Sequence, residues 1–438
     1  MRLVLAASMV LVLGTGLAVV VGAAEPKRDE AYYTDRYEDP VIKEMKDADK
    51  ALVEAARTKT EELIKAYQEA EKKRTEPEQQ LRFDLSGLVR PDGPAAFTHQ
   101  AWHFPPTPQY LTGTCWSFST TSFAESEIKR LNGKEIKLSE MWTAYWEFVN
   151  KTRGFIASRG ESTFDHGSES AALLRVYREH GVVPRADYEG VVGEDKRFDH
   201  DLMMDNMRSL LSWCKEHNFW NEDVVIPMVR LLLDETMGRP PEKVVWQGEE
   251  MTPQAFLANV CRFDPDDYVS VMSTLSAPFW TRAEYAVPDN WWHDASYVNV
   301  PLDVWYHTIV RIIDSGHSLV IGGDTSEPGM NGFEDVAVVP TFDIPGDYID
   351  QSARELRFAE GATTDDHGIH LVGHERLDGH DWFLIKDSNR SSRHGKWKGY
   401  YFYRGDYVRL KMLTFTAHKD DLADILERVE EAANDGGA

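Results

Sequence analysis

From Asp267 onward the chain is built of short segments: YVSVMST, SLVIGG, GIHLVGHE, WFLIKDS, GYYFYRG and VRLKMLTFTA. Each is rich in β-branched or aromatic residues and bounded by Gly, Asp or Ser, which is how strands read. One helical stretch, PLDVWYHTIVRIIDSG, interrupts them. Most of the chain before Asp267 has helical texture instead. Helices first and antiparallel strands later predict an α+β chain rather than an alternating α/β one.

Within the first part, apolar residues three and four apart predict a long charged arm from about Asp39 to Glu76. The Pro- and Gly-rich stretch from Ser86 to Gln109 reads as an irregular lead-in. Further helices are predicted from Cys115 to about Leu131, from Leu138, and from about Ser168 to His180, where Gly181 is the stop signal. The stretch from about Asp199 to Val260 reads as an inserted helical region, and a terminal helix is expected from about Lys419 to Ala433. No internal repeat is evident.

At the N-terminus, Arg2, an apolar run from Leu3 to Val21 and small residues before Glu25 read as an export signal cleaved after Ala24. The run is almost long enough to span a bilayer, so an uncleaved anchor is the alternative. The expected location is therefore periplasmic or extracellular, with no stable membrane association once the signal is removed. A net charge of −25 repels phosphate backbones and anionic lipid, and no basic patch opposes it, so nucleic acid is not an expected partner.

Export invites disulfides, yet the chain has three cysteines, and an odd count leaves a thiol unpaired. Cys214 in LLSWCKEH and Cys261 in FLANVCRF sit among apolar residues at helical spacing and read as small buried hydrophobes. Cys115 stands between a Gly/Thr turn and an amphipathic helix. A thiol at a helix N-terminus faces the positive end of the helix dipole, which favours the nucleophilic thiolate. Gln109, six residues earlier, is placed to donate its amide to an oxyanion beside the sulfur, with the Cys115 N–H as second donor. Without a base, the same residues read as ordinary packing.

The window DDHGIHLVGHERLDGHDWFLIKDSNR supplies candidate bases in His367, His370, His374 and His380. As a helix, the first three would share a face and suggest a metal. Gly368, Ile369, Val372 and Gly373 argue for a strand, where His367 points opposite to His370 and His374 and no compact metal cage follows. Asp365, Asp366, Asp387 and Asn389 are all candidates to orient His367, and spacing alone does not choose among them.

These residues resemble the papain-like cysteine peptidases, in particular the bleomycin hydrolase and aminopeptidase C branch. The pattern Gln109, Cys115, Trp116 is similar to that family's oxyanion glutamine and nucleophile, His367 to its general base, and WFLIKDS to its Asn-Ser-Trp-Gly segment with Asp387 at the Asn position. LSEMWTAYWEFV, HGVVP, MTPQAFLANV, DPDDYVSVMS and NVPLDVW resemble segments of the same branch. Thr112 stands where secreted papain-type enzymes have a disulfide-forming Cys. Asn389 and Arg390 replace the family's Trp and Gly, and a strand shift of two would make Asn389 the orienter. DHGSES offers only Gly167 for the paired glycines of the cleft, which implies a narrower or more polar pocket.

The resemblance implies a papain-like fold with a helical half carrying Cys115, an antiparallel β half carrying His367, and a large helical insertion at about 199–265. The expected organisation is a signal at 1–24, a helical arm and linker at 25–95, a peptidase domain at 96–415 and a C-terminal helix and tail at 416–438. The implied activity is peptide hydrolysis by an exported cysteine peptidase, an aminopeptidase in preference to an endopeptidase. Catalysis would use Cys115, His367, Asp387 and Gln109, without cofactor or metal. Peptides are the expected partners, and a homo-oligomer is possible. The relatives place their C-terminal residues in the cleft, which makes the ending Asp435-Gly436-Gly437-Ala438 a candidate to pair with a substrate ammonium. A papain-like scaffold that binds peptides without cleaving them is the alternative from another class, and acyl transfer to an amine is a third reading of the same site.

Overall fold

The computed structural model describes residues 31–75, 81–82, 84–326 and 329–435. The expected export signal and residues 436–438 of the expected tail lie outside them. The chain divides into two compact units, Met1–Gln80 and Leu81–Ala438.

In the first unit the arm forms one helix, α1 (Pro40–Thr75). Asp39 Oδ1 caps it, accepting from the N–H groups of Val41 and Ile42 at 2.9 and 3.2 Å, and Pro40 fills the first helical position where a missing N–H costs nothing. Lys72, Lys73 and Arg74 close it against the negative end of the dipole.

The second unit runs from β1 (His99–Gln100) into α2 (Cys115–Asn132), α3 (Glu140–Ala157) and α4 (Ser170–His180). There follow α5 (Asp201–Glu216), α6 (Glu222–Met237), the hairpin β2 (Val244–Trp246) and β3 (Glu249–Met251), and the short turn α7 (Pro253–Ala255). Next come β4 (Tyr268–Met272), β5 (Thr281–Ala283), β6 (Tyr297–Asn299), α8 (Leu302–Asp314), β7 (Leu319–Gly323), β8 (Met330–Asn331), β9 (Val336–Ala337) and α9 (Gln351–Ala359). The chain closes with β10 (His367–Leu377), β11 (His380–Lys386), β12 (Tyr400–Arg404), α10 (Gly405–Lys411), β13 (Met412–His418) and α11 (Ala423–Asp435). Among the described residues eleven strands make one sheet, ordered β5-β6-β4-β13-β7-β10-β11-β12-β9-β8, with β1 paired to β10.

The architecture is α+β, as the change of texture at Asp267 predicts. Three local expectations are corrected. The sheet is mixed, because β4 runs parallel to β6 and β9 parallel to β12. The inserted region holds α5 and α6 but also the β2–β3 hairpin, turned through Gln247 (φ 52°) and Gly248 (φ 89°). Val408–Lys411 of VRLKMLTFTA belongs to α10, and the strand begins at Met412. β13 runs to His418, and Leu422 and Ile425 after it join the core beneath the sheet.

Two large apolar cores flank the site. One gathers Phe118, Phe123, Trp142, Tyr145, Phe148, Leu173 and Tyr177 from α2, α3 and α4 with Met204, Val229 and Leu233 from α5 and α6. The other joins Trp305, Ile309 and Ile312 of α8 to Ile321, Ile369, Phe383, Tyr401, Tyr403 and Phe415 of the sheet. The helical half and the sheet meet where the first turns of α2 lie against β10 and β7.

Candidate active site

Cys115 is the first residue of α2, and Thr114 at its N-cap makes no side-chain cap. The N–H groups of Ser117 and Phe118 bond the Thr114 carbonyl, so those of Cys115 and Trp116 precede the helical ladder. The sulfur therefore sits at the positive end of the helix dipole. Trp116 Nε1 donates to the His166 carbonyl at 3.1 Å, which fixes the turn from the far side.

His367 opens β10 and faces Cys115 across a cleft of about 380 Å³ including its mouth. The close approach needs Gly368, since a Cβ there would stand 3.0 Å from Ser119 Oγ and 3.2 Å from the Trp116 Cα. On its other side His367 Nε2 lies 2.8 Å from Asp387 Oδ1, at the end of the neighbouring β11. Burial alone would push the imidazole down. The Asp387 charge, then the Cys115 sulfur through charge and a hydrogen bond, outweigh it and hold His367 well above its ordinary value.

Of the four candidate orienters, the structure brings Asp387 to the ring. Asn389 contributes its backbone, donating its N–H to Asp387 Oδ1 at 2.8 Å, while its side chain caps Ser391 N at 3.3 Å. Asp366 accepts from Thr325 N at 2.9 Å, and Asp365 turns into the cleft beside Glu169. Tyr401 and Tyr403 on β12 are fully buried, and burial above all, with the Asp387 charge among the further causes, keeps both hydroxyls protonated.

Gln109 is buried and doubly anchored. Ser388 Oγ donates to its Oε1 at 2.6 Å, which turns Nε2 away from Ser388, and Nε2 gives one hydrogen to the Thr112 carbonyl at 2.6 Å. An amide nitrogen carries two hydrogens, so one is left for a ligand oxygen.

The remaining histidines go elsewhere, and the expected pairing of His370 with His374 is corrected. A bulge between Leu371 and Gly373 breaks the alternation of β10. His370 Nδ1 lies 2.7 Å from Ser122 Oγ on α2, the same helix that His367 meets, and Lys386 Nζ donates to that hydroxyl at 2.6 Å. Burial lowers Lys386 to about 8 and drives His370 well down. His374 Nδ1 bonds Asp314 Oδ1 at 2.6 Å at the end of α8. Among the described residues no three His, Cys, Asp or Glu side chains are grouped to hold a metal ion.

No family model matches the sequence, and no curated protein matches it. Among solved structures, PepW from Lactobacillus rhamnosis aligns with a TM-score of 0.63 at 16% identity, over 77% of this chain and 85% of PepW. Procathepsin L 3 from the Tenebrio molitor larval midgut aligns at a TM-score of 0.30 and 13% identity, over 77% of this chain and 74% of its own. A structure from work on the mite allergens Blo t 1 and Der p 1 aligns at 0.35 and 13%, over 77% and 75%. The chain has the papain-like fold.

In this papain-like chain the cleft is more polar than sequence reasoning located. Glu169, Asp289, Asp365 and Asp366 line it together with Cys115 and His367. Glu169 was within reach through DHGSES, which flags an altered cleft, but nothing in PDNWW marks Asp289. Ser388, which fixes Gln109, was likewise hidden within WFLIKDS.

Proposed function

We propose that the chain is an exported cysteine peptidase that hydrolyses peptide bonds. The observation that carries this reading is the buried His367–Asp387 pair at 2.8 Å with Cys115 on the other side of the imidazole, at the head of α2. The Cys115 thiolate attacks the peptide carbonyl carbon, and its oxygen becomes an oxyanion facing the Cys115 N–H and the free hydrogen of Gln109 Nε2. The imidazolium of His367 gives its proton to the leaving amine, the C–N bond breaks, and a thioester on Cys115 remains. Neutral His367 then takes a proton from the water whose oxygen attacks the thioester carbon, the C–S bond breaks, the acid product leaves, and the Cys115 thiolate again faces the His367 imidazolium. Asp387 keeps Nε2 occupied so that Nδ1 faces the sulfur. Aminopeptidase action is preferred over endopeptidase action because of the resemblance to the aminopeptidase C branch.

The test is alkylation of each cysteine in the native protein from about pH 4.5 to 9, read by peptide mass spectrometry, with peptide turnover alongside. Burial raises the thiol of Cys214 and pushes that of Cys261 up to about 12, so both serve as slow controls. Fast labelling of Cys115 alone below pH 7, lost with His367→Ala, and turnover lost with Cys115→Ala are the expected results. Slow labelling of Cys115 without cleavage would favour the peptide-binding scaffold.

A further inference from the structure

The Cys115 cleft holds more negative charge than peptide hydrolysis uses. Glu169, at the head of α4, is 5% exposed. Tyr297 donates to its Oε2 at 3.3 Å, but its Oε1 meets no donor except a proton shared with Asp365. Thr120 Oγ1, on the same wall, is also buried without a partner. Asp365 is half-buried two residues before His367. Desolvation raises both carboxyls, Asp365 to about 6, and the charges next in effect on the pair belong to Asp289 and Asp366.

Asp289 approaches from the loop before β6 and rests against the bare Cα of Gly167, where any Cβ would collide with its carboxylate. Lys151 faces Asp289, but its Nζ is held by the carbonyls of Asp165 and Gly167. The Glu169–Asp365 side of the cleft is thus a concave acidic wall beside the sulfur, with buried acceptor capacity unspent. Leaving such groups unpaired costs free energy that a cationic ligand recovers. Since the described acidic groups do not form a metal-binding set, the fitting cation is an organic one carried in on the substrate.

We propose that Glu169 and Asp365, with Asp289 beside them, form a subsite that recognises an ammonium or guanidinium group of a bound peptide next to the bond attacked by Cys115, an assignment that rests on the peptidase reading above. Burial and their mutual charge favour a proton held between the two carboxyls, and an arriving cation displaces it to solvent and takes its place. The cation has two possible sources, the free α-amine of the peptide or a Lys or Arg side chain.

The experiment uses matched reporter peptides with the mature protein. One series is N-acetylated and carries Arg or Lys, against citrulline or norleucine, at either of the two positions before the reporter. The other has neutral side chains with a free or an acetylated N-terminus. Two quantities are read: kcat/KM, and the protection each peptide gives Cys115 against iodoacetamide. A cationic-to-neutral ratio of roughly tenfold or more is expected, the size of one charge-assisted contact. Glu169→Gln and Asp365→Asn should each reduce that ratio toward one, and because a ratio is read, a partly unfolded variant does not mimic the effect. A preference confined to the acetylated Arg and Lys peptides assigns the side chain, and one confined to free N-termini assigns the α-amine. A ratio of one in both readouts overturns the subsite. If no peptide is cleaved, the peptidase reading fails by itself and the protection ratio alone decides the subsite.

Discussion

Asp387 Oδ1 lies 2.8 Å from His367 Nε2 and also accepts the Asn389 N–H at 2.8 Å, whereas Asp387 Oδ2 is buried with no partner. The carboxylate therefore does two separable things. One oxygen fixes the ring by geometry, and the charge as a whole favours the imidazolium.

Asp387→Asn keeps the first and removes the second. The amide oxygen takes the Oδ1 contacts, and Nδ2 replaces the orphaned oxygen with a neutral group. The proposed Cys115 thiolate–His367 imidazolium pair then becomes less favourable against its neutral form. Its formation should begin at higher pH, and the alkaline limb set by His367 should fall to lower pH. The expected result is a kcat/KM profile narrowed from both sides with turnover retained, while Asp387→Ala loses turnover by roughly 10²-fold or more. A profile in Asp387→Asn that overlays the parent would show that the charge has no bearing on the pair.

Gln109→Ala should lower kcat/KM by roughly 10²–10³, the usual consequence of losing one oxyanion donor. Alkylation of Cys115 by iodoacetamide forms no oxyanion, so its rate should stay within about twofold, which separates oxyanion loss from damage to the nucleophile. Ser388→Ala frees Gln109 Oε1 and acts only through Gln109, so a smaller loss in kcat with unchanged alkylation is expected. Equal losses in turnover and alkylation would place Gln109 in the folding of the turn instead.

How much of this was legible follows the range of each interaction. Cys115 at a helix start is a local fact, carried by the Gly/Thr turn and the apolar periodicity after it. Val408–Lys411 misled because VRLK carries its apolar residues at a spacing that fits a strand continuing into MLTFTA, whereas docking against the sheet winds seven residues into α10. The β10 bulge leaves no sequence mark beyond Gly373. Asp387 could not be separated from Asp365, Asp366 and Asn389 by spacing, because the choice depends on which strand lies beside β10. Glu169 and Asp365, 196 residues apart, meet only in the folded chain.

Asp365 also ties the acidic wall to stability. Its carboxyl titrates at about 6 in the folded chain against an ordinary value of 3.8. The sign follows from which state binds more protons: between those values the folded chain holds a proton that the unfolded chain has lost, so stability falls as pH rises from about 3.8 to about 6 and then levels off. Asp365→Asn removes that burden. Its Tm should exceed the parent's above pH 6, with the gap closing as pH falls toward 4. A gap that is constant or widens on acidification would mean Asp365 is ionised and stabilised in the folded state.

Gly368 is where geometry, not charge, decides whether the pair forms. A Cβ at this position would be tight against Ser119 Oγ and the Trp116 Cα, and the two further methyls of Val would press on the first turn of α2. Ala can be absorbed if the Ser119 hydroxyl and the Trp116 Cα each give by a few tenths of an ångström. Val cannot, because the obstacle is then backbone, so β10 must draw away from α2 and carry His367 from Cys115. Gly368→Val is expected to move the onset of Cys115 alkylation to higher pH and to abolish turnover with the far-ultraviolet circular dichroism kept. Gly368→Ala should fall between Val and the parent. If Val leaves the onset in place, the sulfur and the imidazole do not depend on this approach of strand to helix.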